Sequence, residues 1–165
     1  MDQEDKQEVV EDSRADQALR IVKANMLWAI GSGLLPVPFA DIAGVAAVQM
    51  KMLSEMSYVY GLKFSENRVK NILGALAGSV GSATVVGAQL ASLIKIIPIV
   101  GSFSGMIALP VIAGASTYAV GKIFIMHFES GGTFLDFDPQ KMHKHFEQEF
   151  KKGRKVAEEI KETSN

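Results

Sequence analysis

Residues 71–121 carry a single charge, Lys95, in 51 positions. No other feature of the chain restricts its fold as strongly. A run this apolar must be hidden from water, either by a bilayer or by other protein surface. Within it, "ILGALAGSVGSATVVGAQLASLI" (72–94) holds 23 uncharged residues and 96–121 holds 26. Each exceeds the roughly 20 residues that a membrane-crossing helix needs. Arg68 and Lys70 precede the first run and Lys122 lies near the end of the second. A helical hairpin over 72–128 would place these bases on one side of a membrane, with Lys95 in the far turn, where its long stem reaches the interface.

The hydrophobicity of this run is moderate. Residues 72–94 contain nine large aliphatics, nine Gly or Ala, and the polar residues Ser79, Ser82, Thr84, Gln89 and Ser92. Gly74, Gly78 and Ser82 recur every fourth position, as do Ala83, Gly87 and Ala91. Small residues at that spacing let helix backbones approach closely. Gly74, Gly78, Ala83 and Gly87, with Gly101 and Gly105 on the following segment, are therefore expected contact points between helices, within one chain or in a homo-oligomer. In lipid such a ridge drives association; in water it makes a buried seam. Membrane insertion is the leading reading, and a soluble helical adaptor with the hairpin as its core is the alternative. A pore lined by the polar residues is a third reading, weakened because they do not form a continuous stripe.

The pattern elsewhere is also helical. Residues 1–16 carry a net −5 and read as a solvated leader. Apolar periodicity starts at Ala18 and runs to Ile30, and "GSG" (31–33) ends that helix. "LLPVPFAD" connects it to the next. Pro36 and Pro38 fix the connection, and Asp41 falls at the positive end of a helix that runs to Tyr60 and closes on Gly61. Ser65 is placed to cap a third helix, from Glu66 to about Ile94. A fourth, over about 102–128, contains Pro110 and stops at "ESGG". "DFDP" then supplies Asp138 as a cap and Pro139 as a first helical residue. The last helix carries Met142, Phe146, Phe150, Val156 and Ile160 on one stripe. The expected fold is all-α with five helices, divided as a 1–17 leader, an 18–132 membrane-associated domain and a 133–165 amphipathic helix.

Composition excludes several functions. A net charge of −1 gives no sign of nucleic-acid binding. Cysteine is absent, which removes thiol chemistry and disulfides and fits a reducing compartment. The acidic start is unlike a secretory signal, so both termini are expected in the cytoplasm. Gly121-Lys122 fails as a phosphate loop, because Ser116 and Ile123 occupy positions that need Gly and Ser or Thr. Asp136, Asp138 and Glu147 fit three positions of a calcium loop, but Lys141 stands where its turn needs glycine. His143 and His145 lie two apart and point to different helix faces, and His127 stands alone in apolar surroundings. Asp41 and Glu55 are about four turns apart, too distant for paired acid–base work. In "KKGRK" (151–155) the bases alternate with nearby glutamates, which favours a solvated face. No enzyme, cofactor or metal site is expected.

"LLPVPFADIAGVAAVQMKMLSEMSYVYG" (34–61), "IPIVGSFSG" (97–105) and "TYAVGKIFIMHFESGG" (117–132) together resemble the YcjF-like family over residues 18–132. The carrying features are a proline-flanked Asp, a Gln-x-x-Met helix closing on Tyr-Gly, and an Ala-x-Gly helix closing on Phe-Glu-x-Gly. The resemblance implies a bacterial, membrane-associated helical domain without established enzymatic activity, at the cytoplasmic or inner membrane. It also implies a link to GTPases. No GTPase domain is present in this sequence, so such a partner would act in trans.

Overall fold

The structure, a computed structural model, describes residues 13–32, 40–79 and 104–163. All regular structure among them is helical, as expected. The helices are α1 (Arg14–Ser32), α2 (Ala40–Tyr60), α3 (Glu66–Ser79), α4 (Ser104–Glu129) and α5 (Pro139–Thr163).

Local chemistry sets the helix ends. α1 starts inside the expected leader. The Ser13 hydroxyl accepts from the Asp16 amide at 3.1 Å and donates to its carboxylate at 2.6 Å. The first of these bonds satisfies one amide that the first turn leaves without a partner, and the second holds the two side chains together. α2 ends as expected on Gly61, which has φ 66°. The Leu62 amide donates to Ser57 O at 2.8 Å and that of Gly61 to Tyr58 O at 3.2 Å, a Schellman closure. α4 ends the same way: Gly131 has φ 85°, and the Gly132 and Gly131 amides reach His127 O and Phe128 O at 3.0 Å each. Only glycine holds such φ values without strain. Asp138 caps α5, its Oδ1 accepting from the Gln140 amide at 3.0 Å, with Pro139 as the first helical residue.

α4 is the central strut. α1 and α5 pack along it, α2 touches it, and α3 packs on α5 and α2. Val22 lies against Gly121 and Ile30 against Gly114, so α1 and α4 run antiparallel. Ala157 also meets Gly114, and Gly153 meets Tyr118 and the Ala115 carbonyl, so α5 returns antiparallel along the neighbouring face. One end of the bundle gathers the start of α1, the end of α2, the start of α3 and the α4–α5 turn. There the Tyr60 hydroxyl donates to Glu129 at 2.7 Å, Arg14 lies 5.6 Å from the Tyr60 ring centre, and Arg68 donates to the Phe134 carbonyl at 3.1 Å and to that of Leu135. Ser32, Ala40 and Ser104 consequently sit toward the opposite end.

The core beneath this end is aromatic. Phe124 stacks on Phe137 with centroids 4.3 Å apart, and Phe128 and Phe134 meet edge to face at 5.1 Å. Val69, Ile72, Leu73 and Leu76 of α3 enter the same core, as do Met52, Leu53 and Met56 of α2. On α5, Phe146 is buried with Met142 and Phe150 beside it, while Val156 and Ile160 join Met26, Val111 and Ala157 in a second cluster. The expected stripe of α5 is thus its buried face. The helix shares the core of the bundle, whereas the sequence reading set 133–165 apart.

Of the expected hairpin of 72–128, residues 80–103 lie outside the described residues. In the described parts α3 runs closest to α5 and α2, and its side chains share one core with Phe124 and Phe128 of α4. Among the described residues, Pro110–Glu129 is long and apolar enough to cross a membrane, yet 67% of its apolar window is buried inside the bundle. Tertiary packing covers most of this stretch.

Candidate functional site

The expected packing glycines divide sharply. Gly74 lies on α3 with its Cβ direction open, so it makes no close approach among the described residues. Gly78 falls in α3 and Gly105 in α4, with surroundings outside the described residues. Ala83, Gly87, Gly101, Pro36 and Pro38 also lie outside the described residues. Asp41 falls in the first turn of α2. The glycines that do set helix spacing are Gly114, Gly121 and Gly153. A Cβ on Gly121 would stand 2.7 Å from Val22 Cγ1; on Gly114, 2.6 Å from Ile30 Cγ1; on Gly153, 2.9 Å from Tyr118 Cβ. Sequence reasoning passed over all three. Gly114 and Gly121 are seven apart, which puts them on one face of α4, and that spacing was a legible signal.

Between α1 and α2 lies an open cavity of about 450 Å³, lined by Arg20, Ile21, Ala24, Asn25, Trp28, Lys51 and Glu55. Asn25 is its buried floor. Its amide donates to Glu55 Oε2 at 2.8 Å and to the Ile21 carbonyl at 3.0 Å, while Lys51 donates to Glu55 Oε1 at 2.6 Å. Both carboxylate oxygens of Glu55 are therefore engaged. The trio braces α1 against α2 and offers no general base. Above it, Trp28 is 71% exposed and neighbouring Leu27 52%. These residues were read from sequence only as helix company; their exposure was not legible, because facing outward depends on where α2 and α4 pack.

A second polar cluster closes the α4–α5 turn. The Thr133 amide and hydroxyl donate to Asp136 Oδ1 at 2.7 and 2.6 Å. These bonds, the hydroxyl's foremost, hold the Asp136 carboxyl below its ordinary pKa. Bonds from the Lys141 and Gln140 amides do the same for Asp138. His127 Nε2 lies 2.9 Å from Thr133 O and its ring packs edge-on to Phe137 at 5.0 Å, a structural placement. His143 pairs with Glu147 at 3.2 Å, while His145 is exposed. Among the described residues no group of three or more His, Cys, Asp or Glu is placed to hold a metal ion.

With this geometry in view, comparison with known proteins is informative. The model of the family described as "Domain of unknown function (DUF697)" matches residues 2–155. The chain belongs to this family. The DUF697 match is wider than the 18–132 resemblance read from sequence and takes in most of α5, consistent with that helix's place in the core. The chain is also 39% identical over 144 residues to Magnetosome membrane protein 22 of Magnetospirillum gryphiswaldense, an alignment covering 87% of this chain and 74% of that protein. No solved structure matches the chain.

Proposed function

We propose that this chain is a non-enzymatic, membrane-associated helical protein of bacterial type, and that its DUF697 domain holds a water-facing bundle to the bilayer. The observation that carries this reading is the 51-residue run 71–121 with its single charge, Lys95. The bundle buries most of Pro110–Glu129. We assign lipid contact to the uncharged sequence that precedes that helix, Lys95 apart, on its composition and length. The relative's name, a magnetosome membrane protein, supports the same reading. Beyond this we place the protein at the cytoplasmic or inner membrane with both termini cytoplasmic. We also propose homo-oligomeric assembly through small residues and, from the YcjF-like resemblance, a GTPase partner in trans.

Carbonate and detergent washes of membranes test the first part. The chain is expected to resist carbonate and leave only with detergent. A protein that enters the carbonate wash and stays monodisperse without detergent refutes membrane embedding and favours the soluble adaptor, the reading that the burial of α4 supports. Assembly is tested at Gly74, where an added Cβ would meet no described atom within 4 Å. Gly74→Leu should weaken cross-linking between copies while helicity is kept. Equal cross-linking in the variant, or a strictly monomeric wild type, refutes assembly through this face.

A further inference from the structure

The outward face of α1 is divided in a way its packing does not need. Its exposed positions include Arg20, Lys23, Ala24, Leu27, Trp28 and Gly31, which recur at helical spacing. The first two are basic and the rest apolar. Asp16, one turn before Arg20, is exposed on the same face, and beside the cavity Lys51 of α2 is paired with Glu55 at 2.6 Å. The chain carries no charge over the 17 residues 24–40, so the apolar half of this face continues into uncharged sequence.

We infer that this face of α1 is a docking surface for an anionic bilayer, with Trp28 and Leu27 at the headgroup–acyl boundary and Arg20 and Lys23 toward the lipid phosphates. This rests on the membrane reading above and adds which surface of the bundle meets the lipid. Tryptophan suits this depth because its ring is apolar while its N–H still finds a polar partner. Basic side chains suit it because each gains from the negative surface potential while its stem lies along apolar surface. A second copy of the chain fits less well. Two-fold pairing sets the same patch against itself, and the carboxylates it offers to Arg20 and Lys23 are Asp16 and Glu55, the latter already held by Asn25 and Lys51.

Trp28 is the only tryptophan in the chain, so its fluorescence reports this site alone. The full chain should be reconstituted into nanodiscs containing phosphatidylglycerol and lipids brominated near the headgroup end of the acyl chain. Trp28 is expected to emit at shorter wavelength than in the unfolded chain, to be quenched by bromine, and to be shielded from aqueous acrylamide. Arg20→Glu with Lys23→Glu should weaken docking by roughly fivefold for each charge removed, and more for the reversal, at unchanged helicity. Incorporation into discs with Trp28 open to acrylamide and untouched by bromine overturns the docking while leaving the membrane reading intact. Shielding from acrylamide that grows with copies per disc, without bromine quenching, assigns the face to a second copy and also overturns it. A chain that does not enter discs refutes the membrane reading and this inference with it.

Discussion

Gly121→Ala adds one methyl group at the tightest helix approach in the bundle. The new Cβ would stand 2.7 Å from Val22 Cγ1 and 3.1 Å from its Cβ, with Cγ2 nearer still. Real carbon contacts need about 3.5–4.0 Å. Relief must come from Val22, and it has little room: the side chain is fully buried and, being β-branched, holds one rotamer in a helix. α1 therefore has to move off α4. Overpacking of this kind costs about 1–3 kcal/mol. Replacing glycine inside a helix returns about 1 kcal/mol through helix propensity. With strain near the upper end, the net loss is about 2 kcal/mol, which lowers the unfolding midpoint by roughly 4–8 °C for a chain of this size. Gly44→Ala on α2, where nothing lies within 4 Å, is the matched control and should raise the midpoint by roughly 2–4 °C. Thermal unfolding followed by circular dichroism at fixed detergent reads both. Val22→Ala should partly rescue Gly121→Ala, with a coupling of about 1 kcal/mol or more between the two sites. If the two glycine substitutions shift the midpoint equally, or Val22→Ala adds its full cost on top of Gly121→Ala, close α1–α4 packing at Gly121 is not what fixes this glycine.

Asp138→Ala should lower stability by about 1 kcal/mol through loss of the α5 cap, and Asp138→Asn should restore most of it, read in the same melts. Tyr60→Phe removes the 2.7 Å bond to Glu129 and should cost about 1.5 kcal/mol at neutral pH. Burial first, then the hydrogen bond and charge of Glu129, hold the Tyr60 phenol well above its ordinary pKa. Folding therefore favours the protonated phenol: its stabilisation is complete below the unfolded value of about 10 and is lost as pH rises from there toward the folded value. Wild type should thus lose stability above about pH 10 more steeply than Tyr60→Phe; parallel curves would count against the Tyr60–Glu129 bond.

Punctuation was the most legible part of the chain. Gly61, Gly131, and Asp138 with Pro139 act through their own φ values and caps, so their neighbours in sequence suffice to read them. The apolar stripe of α5 was legible for a similar reason, because a period of 3.6 is local. The start of α1 was also written locally, in Ser13-x-x-Asp16, but the acidic surroundings of those residues hid it. Helix partnership was not legible. Consecutive helices are usually neighbours in space, and that expectation paired α3 with α4. Val69, Ile72, Leu73 and Leu76 do reach a core that contains Phe124 and Phe128 of α4, but the helix itself runs closest to α5 and α2. Gly114, Gly121 and Gly153 were passed over for the same reason. Whether a glycine sits in a seam depends on which helix lies opposite, and Gly121 faces Val22 across 99 positions of sequence.

The choice between membrane and core therefore resolves by segment. A core helix and a membrane span can have the same length and composition; what separates them is the outer faces of their neighbours. Along Pro110–Glu129, Ala115, Ala119, Ile123 and Phe124 are fully buried, and Met126 is that stretch's exposed large apolar side chain. The helix that covers it, α5, presents Lys151, Lys152, Arg154, Lys155, Glu158 and Glu159 outward along the Gly114–Tyr118 contact. Placing this part of α4 in hydrocarbon would carry those charges in with it, at about 2.5–3.5 kcal/mol for each charge at the bilayer centre. Partial pairing such as Arg154 with Glu158 at 2.9 Å lowers that sum without removing it. That cost sets the charged face of α5 against placing this part of α4 at the bilayer centre. We therefore propose that lipid contact comes from elsewhere in the chain, through the face of α1 that carries the exposed Leu27 and Trp28.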